Sequence, residues 1–198
     1  MSALLLAAKV MATWLVVDLI SGVVHWAEDS YGHPDLPFIG RRITKPNLLH
    51  HFRPRAFVTN SWFASSRLLI YACAASIAIA WAIGRLSPMV LVAAVLGANA
   101  NQVHKWSHRS AAENGVLVTL AQRVGLLQSP AHHNRHHVGR KDSSYCVMTG
   151  LLNPLLDGCH VWRGLEWLLR VCGLPKRDDD ALLAGVLAVE PDFLDRRA

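Results

Sequence analysis

Nine of the eleven histidines in this 198-residue chain fall in four tight clusters: His25; His50 with His51; His104 with His108; and His132, His133, His136 and His137. Imidazole is the commonest protein ligand for iron, copper and zinc, and nine rings exceed what one mononuclear ion can use, so two metal ions are the economical reading. Residues four apart share a helix face, which lets His104 and His108 coordinate one ion or flank a pair. At about 100° per residue the four rings of His132–His137 fall within an arc of roughly 140°, so one helical turn can serve both metals. His50 and His51 could add a ligand to each ion, or one ligand and one orienting partner. Asp29, one turn after His25, is the candidate catalytic carboxylate and could ligate metal directly; Asp18, two turns before His25, could orient the His25 ring. His33 and His160 stand outside the pattern and read as ordinary polar residues.

Other chemistries find little support. There is no H-E-x-x-H pair, no nucleophile elbow and no glycine-rich phosphate loop. Cys73, Cys146, Cys159 and Cys172 are widely spaced without a C-x-x-C pair, and read as structural. The excess of six positive charges comes without an aromatic-basic motif, which argues against nucleic acid as a partner.

The elements that must bring the clusters together are apolar. With 52% hydrophobic and only 17% charged residues, the composition leans toward an all-α, multi-pass membrane bundle in a single domain over 1–198. Crossings are expected near 3–24, 68–83 and 89–103, the first an anchor and not a cleaved leader, the latter two a hairpin turning at Gly84, Ser87 and Pro88. One crossing followed by a hairpin places every histidine cluster on one face, with the cap running from 104 to 198. Arg41, Arg42, Lys45, Arg53, Arg55 and Arg67 share that face, which makes it cytoplasmic by the positive-inside rule, and Trp26, Trp62 and Trp106 flank the span ends. Gly115–Leu127 reads as a buried or re-entrant helix. Trp162–Val171 is amphipathic, suited either to lie on the leaflet or to pack on the cap.

The long ordered motifs DLISGVVHWAEDSYG (Asp18–Gly32), His50-His51 with Arg53-Pro54, Thr59-Asn60, NQVHKWSH (Asn101–His108), HHNRHHV (His132–Val138), Tyr145-Cys146, Thr149–Asn153 and Lys176–Asp180 resemble the plasmanylethanolamine desaturases, the Kua/CarF group of membrane lipid desaturases. The resemblance implies two non-haem iron ions, O2 as co-substrate, a membrane phospholipid substrate and electrons from a small carrier of cytochrome b5 or ferredoxin type. It implies as iron ligands His25, His50, His51, His104, His108, His132, His133, His136 and His137, with Asp29 as the acidic partner. The expected product is a plasmenyl vinyl ether made from a plasmanyl ether lipid. Desaturation or hydroxylation of an ester-linked acyl chain is the nearest rival, and a non-catalytic metal-binding membrane protein the rival from another class. Where the family carries a further histidine, this chain has Lys141, which cannot ligate while protonated. Arg53, Arg55 and Lys105 could hold an anionic headgroup or serve as topology determinants.

Overall fold

In the computed structural model, which describes residues 2–138 and 142–195, the chain begins with a helix that has two jobs. α1 (Ala3–Tyr31) is capped by the Ser2 hydroxyl, which accepts from the Leu5 N–H, and at 1.5 Å per residue its 29 residues run about 44 Å, longer than a hydrocarbon core of about 30 Å. Its apolar side chains from Leu4 to Val24 are largely exposed, while Val17, Asp18, Gly22, His25, Trp26, Asp29 and Ser30 form one inward face. The same helix therefore offers an apolar exterior at its start and a polar interior wall at its end.

After the short helix α2 (Lys45–Phe52) comes α3 (Trp62–Ala82), apolar around its whole circumference, with Ser66 its buried residue. Among the described residues, α1 and α3 are the two helices long and apolar enough to cross a membrane. Gly84, at φ +67°, turns the chain into α4 (Pro88–Ala98), which packs on both α3 and α1; Gly97 lets the Cys73 sulfur approach. The expected third crossing over 89–103 is not one continuous helix. At Asn99 the side-chain amide donates to the Val95 carbonyl and its Oδ1 accepts from the Trp62 indole N–H, a local competition that interrupts the ladder before α5 (Ala100–Ser107) resumes it.

α6 (Ala111–Arg123) opens with a Ser110–Glu113 capping box and bends at Gly115. Of the buried or re-entrant helix expected here, the fully buried form is not found: Val118 and Ala121 pack on the core, but Val116 and Leu117 are 74% and 83% exposed. α7 (Pro130–His137), α8 (Leu152–Gly158), α9 (Val161–Val171) and α10 (Asp179–Val189) complete an all-helical architecture with no strand among the described residues. α9 divides its apolar side chains: Trp162 packs on Trp26 and Tyr145, whereas Trp167, Leu168 and Val171 face outward. α10 through Val186, and Phe193 just beyond it, cover Leu48 and Leu49 of α2.

Between α7 and α8 a buried stretch of extended chain lies against α1. No strand runs beside it among the described residues; the Gln128 N–H donates to the Met148 carbonyl at 2.9 Å, and side chains satisfy much of the rest of its backbone. The Cys146 carbonyl accepts from Gln128 and Asn153, and Asp18 accepts from the Met148 and Thr149 N–H groups at 2.9 and 3.2 Å and from the Thr149 hydroxyl at 2.6 Å. Asp18 thus fastens this stretch to α1 and does not touch His25, contrary to the sequence expectation. The apposition is close because Gly22 has no side chain: a Cβ there would lie 2.6 Å from the Cys146 sulfur.

Candidate metal centre

Four helices, α1, α2, α5 and α7, aim their histidines at one interior space. Their rings sort into two adjoining groups, within each of which the ligand atoms all lie within 4.8 Å of one another: His50, His104, His108, His133 and His137 in one, and His25, Asp29, His51 and His136 in the other. α1 serves only the second group, and α5 with the His108 that caps its C-terminus only the first. α2 and α7 serve both, because neighbouring residues on a helix point about 100° apart. The groups touch, with the His136 and His137 rings 5.4 Å apart and those of His25 and His104 5.5 Å apart.

In the five-imidazole group the Nε2 atoms approach in series, His108 to His104 at 3.3 Å, His104 to His133 at 2.8 Å and His133 to His137 at 3.1 Å. Metal–nitrogen bonds of about 2.1 Å at right angles put donors about 3.0 Å apart, so this is the spacing of a coordination shell. Both ring nitrogens of His50, and Nδ1 of His133 and His137, are buried without a hydrogen-bond partner among the described residues. Burial and the neighbouring His104 ring push His50 and His133 well below the usual histidine range, and burial lowers His108 to about 3. Neutral, deprotonated nitrogens crowded in a dry space are what a cation requires.

The second group is built around Asp29. Its Oδ1 lies 2.9 Å from His51 Nε2, and its Oδ2 3.0 Å from His136 Nε2 and 3.4 Å from His25 Nε2. Asn47 donates to Oδ1 at 2.5 Å. His25 Nδ1 donates to the Tyr145 carbonyl at 3.0 Å and His136 Nδ1 to the Ser143 carbonyl at 2.9 Å. A carbonyl can only accept, so these bonds fix the proton on Nδ1 and turn the bare Nε2 lone pairs toward the carboxylate. Lone pairs facing a buried carboxylate repel unless the rings are charged or a cation lies between them. Three imidazoles with one carboxylate, beside five imidazoles and no thiolate, form a donor set suited to iron, copper or zinc.

A family model describing the lipid desaturase domain matches residues 14–179. The chain belongs to the lipid desaturase family. Relatives include a probable fatty acid desaturase of Acanthamoeba polyphaga mimivirus, 30% identical over 80% of this chain and 79% of that protein. Plasmanylethanolamine desaturase of Myxococcus xanthus is 32% identical over 89% of this chain and 65% of its own length, and plasmanylethanolamine desaturase 1 of Mus musculus 32% identical over 86% and 68%. No solved structure matches.

In this lipid desaturase the structure brings together nine of the ten residues expected at the site, and His132 is the exception. His132 sits at the edge of the α7 arc, half-buried, within electrostatic reach of Arg135 and Asp157; burial lowers its pKa. His33 and His160 lie outside both groups, and Lys141 falls outside the described residues. The cations considered for a headgroup have other partners. Arg55 binds the Glu113 carboxylate and the His108 carbonyl, Lys105 is buried and donates to the Asn60 carbonyl, and Arg53 donates to the Leu194 carbonyl.

Several residues of the desaturase site were missed from sequence. Asn47 is one turn before His51, so its place on the same face was available in the spacing. The Phe57 ring stands 4.7 Å from that of His50 and 5.0 Å from that of His104, walling the first group with apolar surface. The carbonyls of Ser143 and Tyr145 carry no side-chain signal.

Proposed function

We propose that this chain is an O2-dependent desaturase whose two histidine groups each hold one iron ion, and that it converts the alkyl chain of a plasmanyl ether phospholipid to the vinyl ether of a plasmalogen. The observation that carries the reading is the pair of adjoining ligand groups, one with a carboxylate, in a member of the lipid desaturase family. The names of the bacterial and mouse relatives support the ether-lipid substrate.

His50, His104, His108, His133 and His137 would hold one ion, and His25, Asp29, His51 and His136 the other. Bound iron supplies the O2 activation needed to abstract hydrogen from an unactivated carbon chain. Removing two hydrogens while O2 is reduced to water consumes two further electrons and two protons, which a small carrier of cytochrome b5 or ferredoxin type delivers. The chain's own residues hold and shield this chemistry. Ser143 and Tyr145 fix the rings of His136 and His25, Asn47 fixes Asp29, and Phe57 and Tyr145 exclude water from the two sides.

The chain crosses the bilayer three times, with α4 and α5 together forming the third passage and the site just inside the cytoplasmic leaflet. The apolar exteriors of α1 and α3 and the basic residues Arg41, Arg42, Lys45 and Arg67 on the site side support this placement. A lipid chain then reaches the ions from within the membrane.

Expression in cells that contain ether lipid tests the proposal: wild type should generate acid-labile vinyl ethers and His136→Ala should not. The name of the viral relative favours a second reading, in which an ester-linked acyl chain is desaturated. New acyl double bonds without vinyl ethers would establish that alternative, and no O2-dependent lipid change would point to a metal-binding protein without catalysis.

A further inference from the structure

The Lys176–Asp180 motif contributes no candidate ligand, yet it reaches the helix that carries two of them. α1 has no basic residue in its last turn, and Gly32 follows it in an extended conformation and not the left-handed one. The helix therefore lacks two common ways of satisfying its final carbonyls. The Gly32 N–H bonds the Glu28 carbonyl at 3.1 Å, and Arg177 supplies further donors from across the chain. Its Nη1 donates to the Glu28 and Gly32 carbonyls at 2.8 and 2.7 Å, and its backbone N–H donates to the Ser30 carbonyl at 2.8 Å. Asp179 holds the Nε of the same guanidinium at 2.8 Å, and the side chain is only 8% exposed. Gly32 is part of the joint, since a Cβ there would lie 3.1 Å from Arg177 Nη1 and 2.5 Å from the Glu28 carbonyl oxygen.

Asp29 lies between two of the residues whose carbonyls Arg177 binds. A helix end with unsatisfied carbonyls frays, and a carboxylate on a fraying turn cannot keep the sub-ångström placement that a metal site requires. The guanidinium also places positive charge at the negative end of the helix dipole. We propose that Arg177 is a positioning residue for the Asp29 group, locking the last turn of α1 so that Asp29 and His25 face His51 and His136. The inference rests on the metal-binding reading of that group.

The test is anaerobic titration of the metal-free full-length protein in lipid nanodiscs with ferrous iron, for wild type, Arg177→Gln and Arg177→Lys, alongside the melting temperature of each metal-free protein. In Arg177→Gln one equivalent should bind as in wild type and the other about 10–100-fold more weakly. Arg177→Lys, whose single ammonium cannot reproduce the fork, should fall between. In an Asp29→Asn background Arg177→Gln should add nothing, a non-additivity that general destabilisation does not produce. Unchanged binding of both equivalents, or equal weakening of both, overturns the proposal. Should Arg177→Gln fail to fold, Asp179→Asn, which frees only Nε, must weaken the same single equivalent; binding like wild type overturns the proposal equally. A wild-type protein that takes up fewer than two equivalents defeats the metal reading itself, and the inference with it.

Discussion

His50 and His51 are adjacent on α2, yet they serve different groups: the His50 ring packs 4.6 Å from those of His108 and His137, whereas His51 Nε2 lies 2.9 Å from the Asp29 carboxylate. His133 and His136 divide in the same way on α7. His50→Ala and His51→Ala should therefore both abolish lipid conversion while weakening different metal equivalents. Iron titration of the two single variants and the double variant checks this; in the double variant both equivalents should weaken.

Asp18 is fully buried and accepts three hydrogen bonds from Met148 and Thr149. Asp18→Asn replaces an acceptor oxygen with a donor and leaves at least one of these partners unsatisfied, at a cost of about 1–3 kcal/mol. The melting temperature should fall, while iron stoichiometry at low temperature stays at the wild-type value. Loss of iron without loss of stability would return Asp18 to the role of orienting His25.

At Gly22 the expected effect is steric. Gly22→Ala places a methyl 2.6 Å from the Cys146 sulfur and 3.1 Å from its backbone nitrogen, which overpacking makes unfavourable by about 1–3 kcal/mol. Adding Cys146→Ala removes the sulfur and should recover part of that loss in thermal melts.

Acid should destabilise the metal-free protein through its buried rings. Burial lowers His108 from 6.5 to about 3, and His50 and His133 also lie well below their ordinary value. Above pH 6.5 the folded and unfolded chains are both neutral at these sites, so the rings impose no pH dependence. Below it the unfolded chain takes up protons that the native one refuses, and stability falls as pH drops from about 6.5 toward about 3. Melting temperatures measured across that window should decline on acidification, and His108→Gln should flatten the slope.

Much of the candidate metal centre was legible because its candidate ligands recur with helical spacing. His25 with Asp29, His104 with His108, and His133 with His136 and His137 declare shared faces before any tertiary contact is known. What spacing could not convey was the path of the chain between helices. Asp18 shares a face with His25, so the sequence suggested that one orients the other; only the return of residues 143–149 along α1 shows which groups Asp18 binds and that Tyr145 holds His25. The break at Asn99 was hidden for a related reason, since an asparagine in an apolar run gives no sign that its amide will compete for the Val95 carbonyl. The apolar composition of α6 suits a buried or a re-entrant helix, and composition alone cannot tell which side chains protein covers: Val118 and Ala121 pack inward, whereas Val116 and Leu117 face outward. Arg177 lies outside every histidine cluster, and its link to Glu28 and Gly32 exists only in three dimensions.

The proposed function requires two ions side by side among these rings, oxidising lipid. Metal analysis of purified active protein, combined with Mössbauer spectroscopy of an iron-57-enriched sample, tests it most directly. Close to two irons per chain are expected, in two distinguishable nitrogen- and oxygen-ligated environments, with His51→Ala depleting one of them. Active protein carrying only zinc, or a single iron environment untouched by His51→Ala, would contradict it.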